Sequence, residues 1–170
     1  MARSRAVARG LPAFPVIVAA LLGSVWGWYT GGRTTARLPA TVISVVDGDT
    51  VIARLRNGGV EKVRLLGVDT PETKDPRKPV QCYGPEASAY TKSQLTGRHV
   101  SLELDAEPRD KYGRLLAYVI VDGHRYNDEL LERGYARLLV IPPNGSHART
   151  MLREELAARA ARRGVWGACE

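Results

Sequence analysis

The sequence predicts an α+β domain: a five-stranded β-barrel with about three α-helices, preceded by an N-terminal hydrophobic helix. Three observations carry this. Short apolar-alternating runs cluster early, separated by Gly-containing turn signals. Longer runs of helix formers follow, opened by Pro or Asn and closed by Gly. The 170 residues suffice for one hydrophobic core plus an extension, with no internal repeat or low-complexity tract.

The strands come first. Thr41–Val46 and Thr50–Leu55 flank Asp47-Gly48-Asp49, and Asp-Gly between alternating apolar runs is a strong hairpin signal. Asn57-Gly58-Gly59 marks another turn, and Val60–Val68 reads as a third strand, which makes a meander of residues 40–68. Pro85–Leu95 reads as a helix, with Pro near its start and an acid after it. Val100–Leu104 and Leu115–Val121 are strands. Asn127 is placed as the N-cap of a short helix that ends at Gly134. A third helix is predicted over Ala148–Arg163, with Gly164 as its stop. Five strands with helices between and after them suggest a small barrel of the oligonucleotide-binding (OB) type.

The N-terminus follows a different logic. Net charge is +7, but residues 1–37 hold five arginines and no acid, and the rest is nearly balanced. The basicity therefore says little about the partner of the folded domain. Arg3, Arg5 and Arg9 precede an uncharged run, Gly10 to Gly32, most apolar over Val16–Trp28. This reads as an uncleaved membrane anchor or a cleaved export signal. Either places the remainder outside the cytoplasm under the positive-inside rule. The expected organisation is a signal or anchor at 1–32, a linker at 33–39 and a folded domain at 40–170. Outside the cytoplasm the two cysteines, Cys82 and Cys169, are candidates for a disulfide; two unrelated thiols are the alternative.

Four pieces carry side chains that a fold alone does not need: Asp47-Gly48-Asp49-Thr50, Arg64, Asp69-Thr70-Pro71-Glu72 and Asp110-Lys111-Tyr112-Gly113-Arg114. Asp49 closes a hairpin and Asp69 ends the third strand, so the meander can bring both carboxylates to one rim. Paired carboxylates repel unless a cation sits between them. Aspartate oxygens, the Thr70 carbonyl and water suit Ca²⁺ or Mg²⁺ rather than zinc. Arg64 and Arg114 offer planar donors matched to phosphate oxygens. Glu72 is placed to position or deprotonate a water. Each piece also has a plainer reading: a turn, a helix N-cap at 69–72, an Arg64–Glu61 surface pair, a charged turn at 111–114. Strict alternation puts Arg64 and Asp69 on opposite faces, unless Gly67 bends the strand or Asp69 lies beyond it.

From about Ala40 to Trp166 the chain resembles the staphylococcal nuclease (thermonuclease) family. The resemblance rests on VVDGDTV, VRLLGVDTPE, YGPEAS, DKYGRLLAYV and the Asn127 region. It implies an OB-barrel with three helices and a calcium-dependent phosphodiesterase acting on DNA and RNA, single-stranded or locally opened, leaving 3′-phosphate ends. It implies Asp49 and Asp69 as calcium ligands with the Thr70 carbonyl, and Glu72 as base or water-orienting group. Arg64 and Arg114 would hold the scissile phosphate, and Lys111 and Tyr112 a terminal phosphate. The expected protein is monomeric and meets the membrane through its N-terminal segment. A departure lies at RLLVIPPNG, Arg137–Gly145, which lacks the family's base-stacking tyrosines. The competing expectation is a catalytically weak OB-fold module that binds single strands in an envelope complex.

Overall fold

The computed structural model describes residues 36–74 and 79–169, all within one compact unit, Thr35–Glu170. The expected N-terminal hydrophobic helix and residues 33–35 of the expected linker lie outside the described residues. Residues 37–39, read from the sequence as linker, are instead the first rungs of a strand, with Arg37 opposite Glu103 and Leu38 opposite Leu102. Among the described residues no helix is long and apolar enough to cross a membrane.

The meander comprises β1 (Arg37–Asp47), β2 (Thr50–Leu55) and β3 (Val60–Leu65), followed after one residue by β4 (Gly67–Asp69). Helix α1 (Gly84–Leu95) leads to β5 (His99–Glu103) and β6 (Leu115–Val121). A short β7 (His124–Arg125) runs into α2 (Tyr126–Glu132). After β8 (Arg137–Leu139) come α3 (Ala148–Ala160) and a single turn, α4 (Val165–Ala168). Strands neighbour one another in the order β3-β2-β1-β5-β6, and a parallel β3–β6 pairing closes the barrel. The 11-residue β1 serves both β2 and β5, with register shifts at Val42/Ser44 and Val45/Asp47. Such bulges bend a strand enough to join two sides of a small barrel. Val42, Val51, Ala53, Val63, Leu65, Leu102, Ala117 and Val119 fill the interior and are fully or almost fully buried. Leu95, Leu130, Leu131 and Met151 bring the three longer helices onto the same core.

Three differences from the sequence reading have clear physical causes. The predicted strand Val60–Val68 breaks in two at Leu66. Gly67 sits at φ +74°, and a Cβ there would come within 2.5 Å of Met151 Cε, so the break needs glycine twice over. The chain then turns away and pairs with β8, Asp69 opposite Arg137. Asn127 is not a cap. It lies inside α2, fully buried, where Oδ1 accepts from the Val119 N–H at 2.8 Å and Nδ2 donates to the Leu66 carbonyl at 2.8 Å. It supplies partners for backbone groups at the point where the strand breaks. Helix α3 stops three residues early, at Ala160, with Arg162 and Gly164 both at positive φ before α4.

Candidate functional site

The β1–β2 turn consists of Gly48 and Asp49, with Asp47 opposite Thr50. It delivers two carboxylates to one rim. Asp49 is only 8% exposed. Its Oδ1 accepts from Thr50 Oγ1 at 2.9 Å, and its Oδ2 accepts from the Thr70 N–H and Thr70 Oγ1, both at 3.1 Å. The turn is fixed from outside as well: the Gly48 carbonyl accepts from Thr91 Oγ1 of α1 at 2.7 Å. Asp69 ends β4, and the following residues 70–72 are irregular and not a helix start.

Arg64 faces Thr50 across β2–β3, and its side chain is 15% exposed. Nη1 donates to the carbonyls of Leu65 at 2.9 Å and Val68 at 2.7 Å. Nη2 lies 3.2 Å from both Asp49 Oδ2 and Asp69 Oδ1. The break at Leu66–Gly67 thus removes the alternation problem: the chain curls around the guanidinium, and residue 69 returns to the face of residue 64. Glu61 is not its partner; that carboxylate pairs with Arg109 at 2.7 Å. Asp69 remains 57% exposed on its side chain.

Arg114 is set by its own turn. Asp110 Oδ1 accepts from the N–H groups of Tyr112 at 3.0 Å and Arg114 at 2.9 Å, while Oδ2 accepts from Arg114 Nε at 2.6 Å. Burial pushes the Asp110 carboxyl up, but the hydrogen bonds from Arg114 and Tyr112 outweigh it and hold the carboxyl below the usual aspartate value. This commits Nε of Arg114 to Asp110. Lys111 Nζ and the Arg114 guanidinium carbon lie 5.1 and 5.5 Å from the Tyr112 ring centre.

Asp49, Arg64, Asp69, Thr70, Glu72 and Arg114 all line one cavity of about 380 Å³, together with Asp47, Lys62, Lys74 and Gln81. Lys111 and Tyr112 line a second cavity of about 550 Å³, walled by Leu66, Val68, Leu116, Leu139 and Ile141. Arg64 and Arg114 belong to both. The stretch Arg137–Gly145, which has no aromatic residue, contributes Leu139, Ile141 and Asn144 to the second cavity's wall.

Three contributors were absent from the sequence reading's residue set. Burial, foremost, and a side-chain hydrogen bond with Glu72 raise the Asp47 carboxyl above its ordinary range, against the opposing bonds from Thr73 and Gly48. Asp47 and Asp110 were visible as the first letters of DGD and DKYGR, the positions from which a short carboxylate bonds the following backbone. Gln81, whose Oε1 accepts from the Glu72 N–H at 2.9 Å, carries no local signal.

The donor set fits a hard cation. The first cavity offers carboxylate, hydroxyl and carbonyl oxygens with no thiol or imidazole. Among the described residues no three Asp, Glu, His or Cys side chains form a ready cage. Asp49 and Asp69, already drawn to one guanidinium nitrogen, are the pair that converges. Elsewhere, Cys82 and Cys169 form a disulfide with Cα atoms 6.0 Å apart.

Fold and rim together define a class: an OB-type barrel whose edge carries two guanidinium groups beside paired carboxylates, equipped for phosphoryl chemistry. The family model described as staphylococcal nuclease homologue matches residues 62–168. The thermonuclease of Staphylococcus intermedius is 45% identical over 122 residues, covering 72% of each chain. That of Staphylococcus hyicus is 41% identical over 125 residues, covering 74% of this chain and 73% of its own. Endonuclease YncB of Bacillus subtilis (strain 168) is 41% identical over 128 residues, covering 74% of this chain and 60% of its own. The chain belongs to the staphylococcal nuclease family and is a nuclease, a hydrolase.

Proposed function

We propose that the protein is a calcium-dependent nuclease that hydrolyses phosphodiester bonds of DNA and RNA, single-stranded or locally opened, and leaves 3′-phosphate ends. The observation that carries this reading is that Arg64 and Arg114 line the same cavity as Asp49, Asp69 and Glu72. A binding module needs a basic groove and stacking surfaces; it does not need carboxylates set among its phosphate-binding arginines.

Asp49 and Asp69, with the Thr70 carbonyl, would hold calcium. When bound, the ion supplies positive charge to offset the charge that grows on the phosphoryl oxygens. Glu72 accepts the proton of the attacking water at its carboxylate. Arg64 and Arg114 donate to the non-bridging oxygens as the pentacoordinate state forms, and their forks match two oxygens at once. The phosphorus–O5′ bond breaks, the 5′ oxygen leaves and takes a proton from solvent, the proton held on Glu72 returns to solvent, and the phosphate stays on the 3′ side. Lys111 and Tyr112 bind the next phosphate, and the aliphatic wall takes the base. The N-terminal run of 1–32 supports export, with the domain outside the cytoplasm, tethered by that segment or released from it. The proposed working form is the monomer.

The test is end-group analysis of a 5′-labelled single-stranded oligonucleotide. Products whose electrophoretic mobility falls on treatment with a 3′-phosphatase, and their disappearance in EGTA, are expected. Products with 3′-hydroxyl ends, or a rate unaffected by EGTA, contradict the reading.

A further inference from the structure

We propose that Gln81 is a positioning residue for Glu72, and that the Cys82–Cys169 disulfide locks Gln81 in place, so that turnover depends on the redox state of the bridge. The inference rests on the assignment of Glu72 as base above.

Glu72 lies on an irregular stretch with no ladder to fix it. Its backbone is instead bracketed by one residue. The Glu72 N–H donates to Gln81 Oε1 at 2.9 Å, and the Gln81 N–H donates to the Glu72 carbonyl at 3.0 Å. Both backbone polar groups of residue 72 thus depend on where residue 81 stands, while its carboxylate Oε1 accepts from the Lys74 N–H at 2.6 Å. Behind the bracket, Gly84 presses on the same stretch: a Cβ there would meet Thr73 Cγ2 at 2.7 Å and the Pro71 carbonyl at 3.1 Å. The residue after Gln81 is Cys82, covalently tied to Cys169 across 87 residues. Cys169 follows α4, whose Val165 and Trp166 are buried against Ala158 of α3. Asp69, Thr70, Gln81, Cys82 and Cys169 line one cavity of about 300 Å³. The bridge therefore fastens the bracket to an anchored part of the fold beside a proposed metal carboxylate. Cys82 is exposed, so a soluble thiol can reach it.

Reduction by dithiothreitol delivers two electrons and two protons, breaks the sulfur–sulfur bond to two thiols and closes the reagent to a cyclic disulfide. The geometry of a base is costly to lose: small misplacements cost on the order of 10²-fold. The experiment uses full-length protein at saturating calcium on a single-stranded oligonucleotide. It compares wild type, Gln81→Ala, Gln81→Glu and Cys82→Ser, each with and without Glu72→Gln, and wild type and Glu72→Gln with and without dithiothreitol. The expected result for Gln81→Ala is a kcat lower by roughly ten-fold with KM little changed. Gln81→Glu, which keeps an acceptor oxygen at the same reach, restores much of that loss. Reduction and Cys82→Ser lower kcat by a smaller factor, below the melting temperature of each sample. In the Glu72→Gln background none of these changes lowers the rate further. Gln81→Ala at wild-type kcat, or an equal loss in both backgrounds, overturns the positioning role. Unchanged kcat after reduction, with thiol titration confirming two free cysteines, overturns the redox link. Glu72→Gln at full rate removes the base assignment itself, an outcome distinct from either.

Discussion

The two cavities that share Arg64 and Arg114 are built on opposite plans. In the acidic one, the side chains around Arg64 are tied to neighbours. Asp49 takes three hydrogen bonds, and Arg64 is oriented by two carbonyls at Nη1 and two carboxylates at Nη2, the latter being the contacts that calcium at Asp49 and Asp69 would relax. In the apolar one the wall is aliphatic and open, with Tyr112 72% and Ile141 64% exposed. Directional bonds fix the groups whose placement must match a transition state. Apolar contacts with no fixed geometry suit a base that must be gripped without being identified. Changes will therefore be felt in kcat on the polar side and in KM on the apolar side.

The sharpest way to break this contrast is at Arg64. Arg64→Lys keeps the charge but loses the fork, and kcat should fall on the order of 10²-fold or more with little change in KM. Steady-state rates on a short oligonucleotide decide it; wild-type turnover by the lysine variant would place Arg64 outside the reaction. Glu72→Gln comes next. It should fold as wild type by circular dichroism and cut on the order of 10²-fold more slowly, with the acidic limb of its pH–rate profile, where a base is lost by protonation, altered.

Asp110→Asn should have a moderate effect, about ten-fold on kcat, because Arg114 loses the charged partner at Nε. It also makes a pH prediction. The folded carboxyl lies below the usual value of 3.8, so the stability it adds is present above that value and is lost as pH falls through the folded one. Melting temperatures measured from pH 5 downward should therefore fall less steeply in Asp110→Asn than in wild type. An identical slope would mean the carboxylate gains nothing from its turn.

On the apolar side the effects should be small and confined to binding. Tyr112→Ala should raise KM several-fold at near-constant kcat, and Ile141→Tyr should lower KM for single strands, since a stacked base is worth about 1–3 kcal/mol. A kcat effect as large as that of Arg64→Lys from either change would dissolve the division between the two cavities.

The same contrast governs what could be read from the chain. The first cavity comes mainly from four short pieces, and within each the spacing is local: a two-residue hairpin, one strand arginine, a strand exit and a five-residue turn. Local chemistry leaves local signals, so Asp49, Arg64, Asp69, Glu72 and Arg114 were legible. Leu139 and Ile141 meet Leu66 and Leu116 only through tertiary placement, and nothing in RLLVIPPNG announces it. The β4–β8 pairing is equally silent, since three residues on each side are too few for alternation to register. Asn127 was misassigned because Asn before a helical run commonly caps it. Its actual duty depends on Val119 and Leu66, eight and 61 residues away. Gln81 shows the same limit from the other side, as a polar residue whose only distinction is the backbone group it faces.

The central claim is that Asp49 and Asp69 hold a catalytic calcium beside the two arginines. It is tested most directly by turnover against free Ca²⁺ for wild type and Asp49→Asn, using full-length protein and one oligonucleotide. The account predicts saturable activation of wild type, abolished by EGTA, and a variant whose rate is reduced on the order of 10²-fold and whose calcium requirement shifts to much higher concentration. Activity of wild type in EGTA, or an Asp49→Asn curve that overlays the wild-type curve, would contradict it.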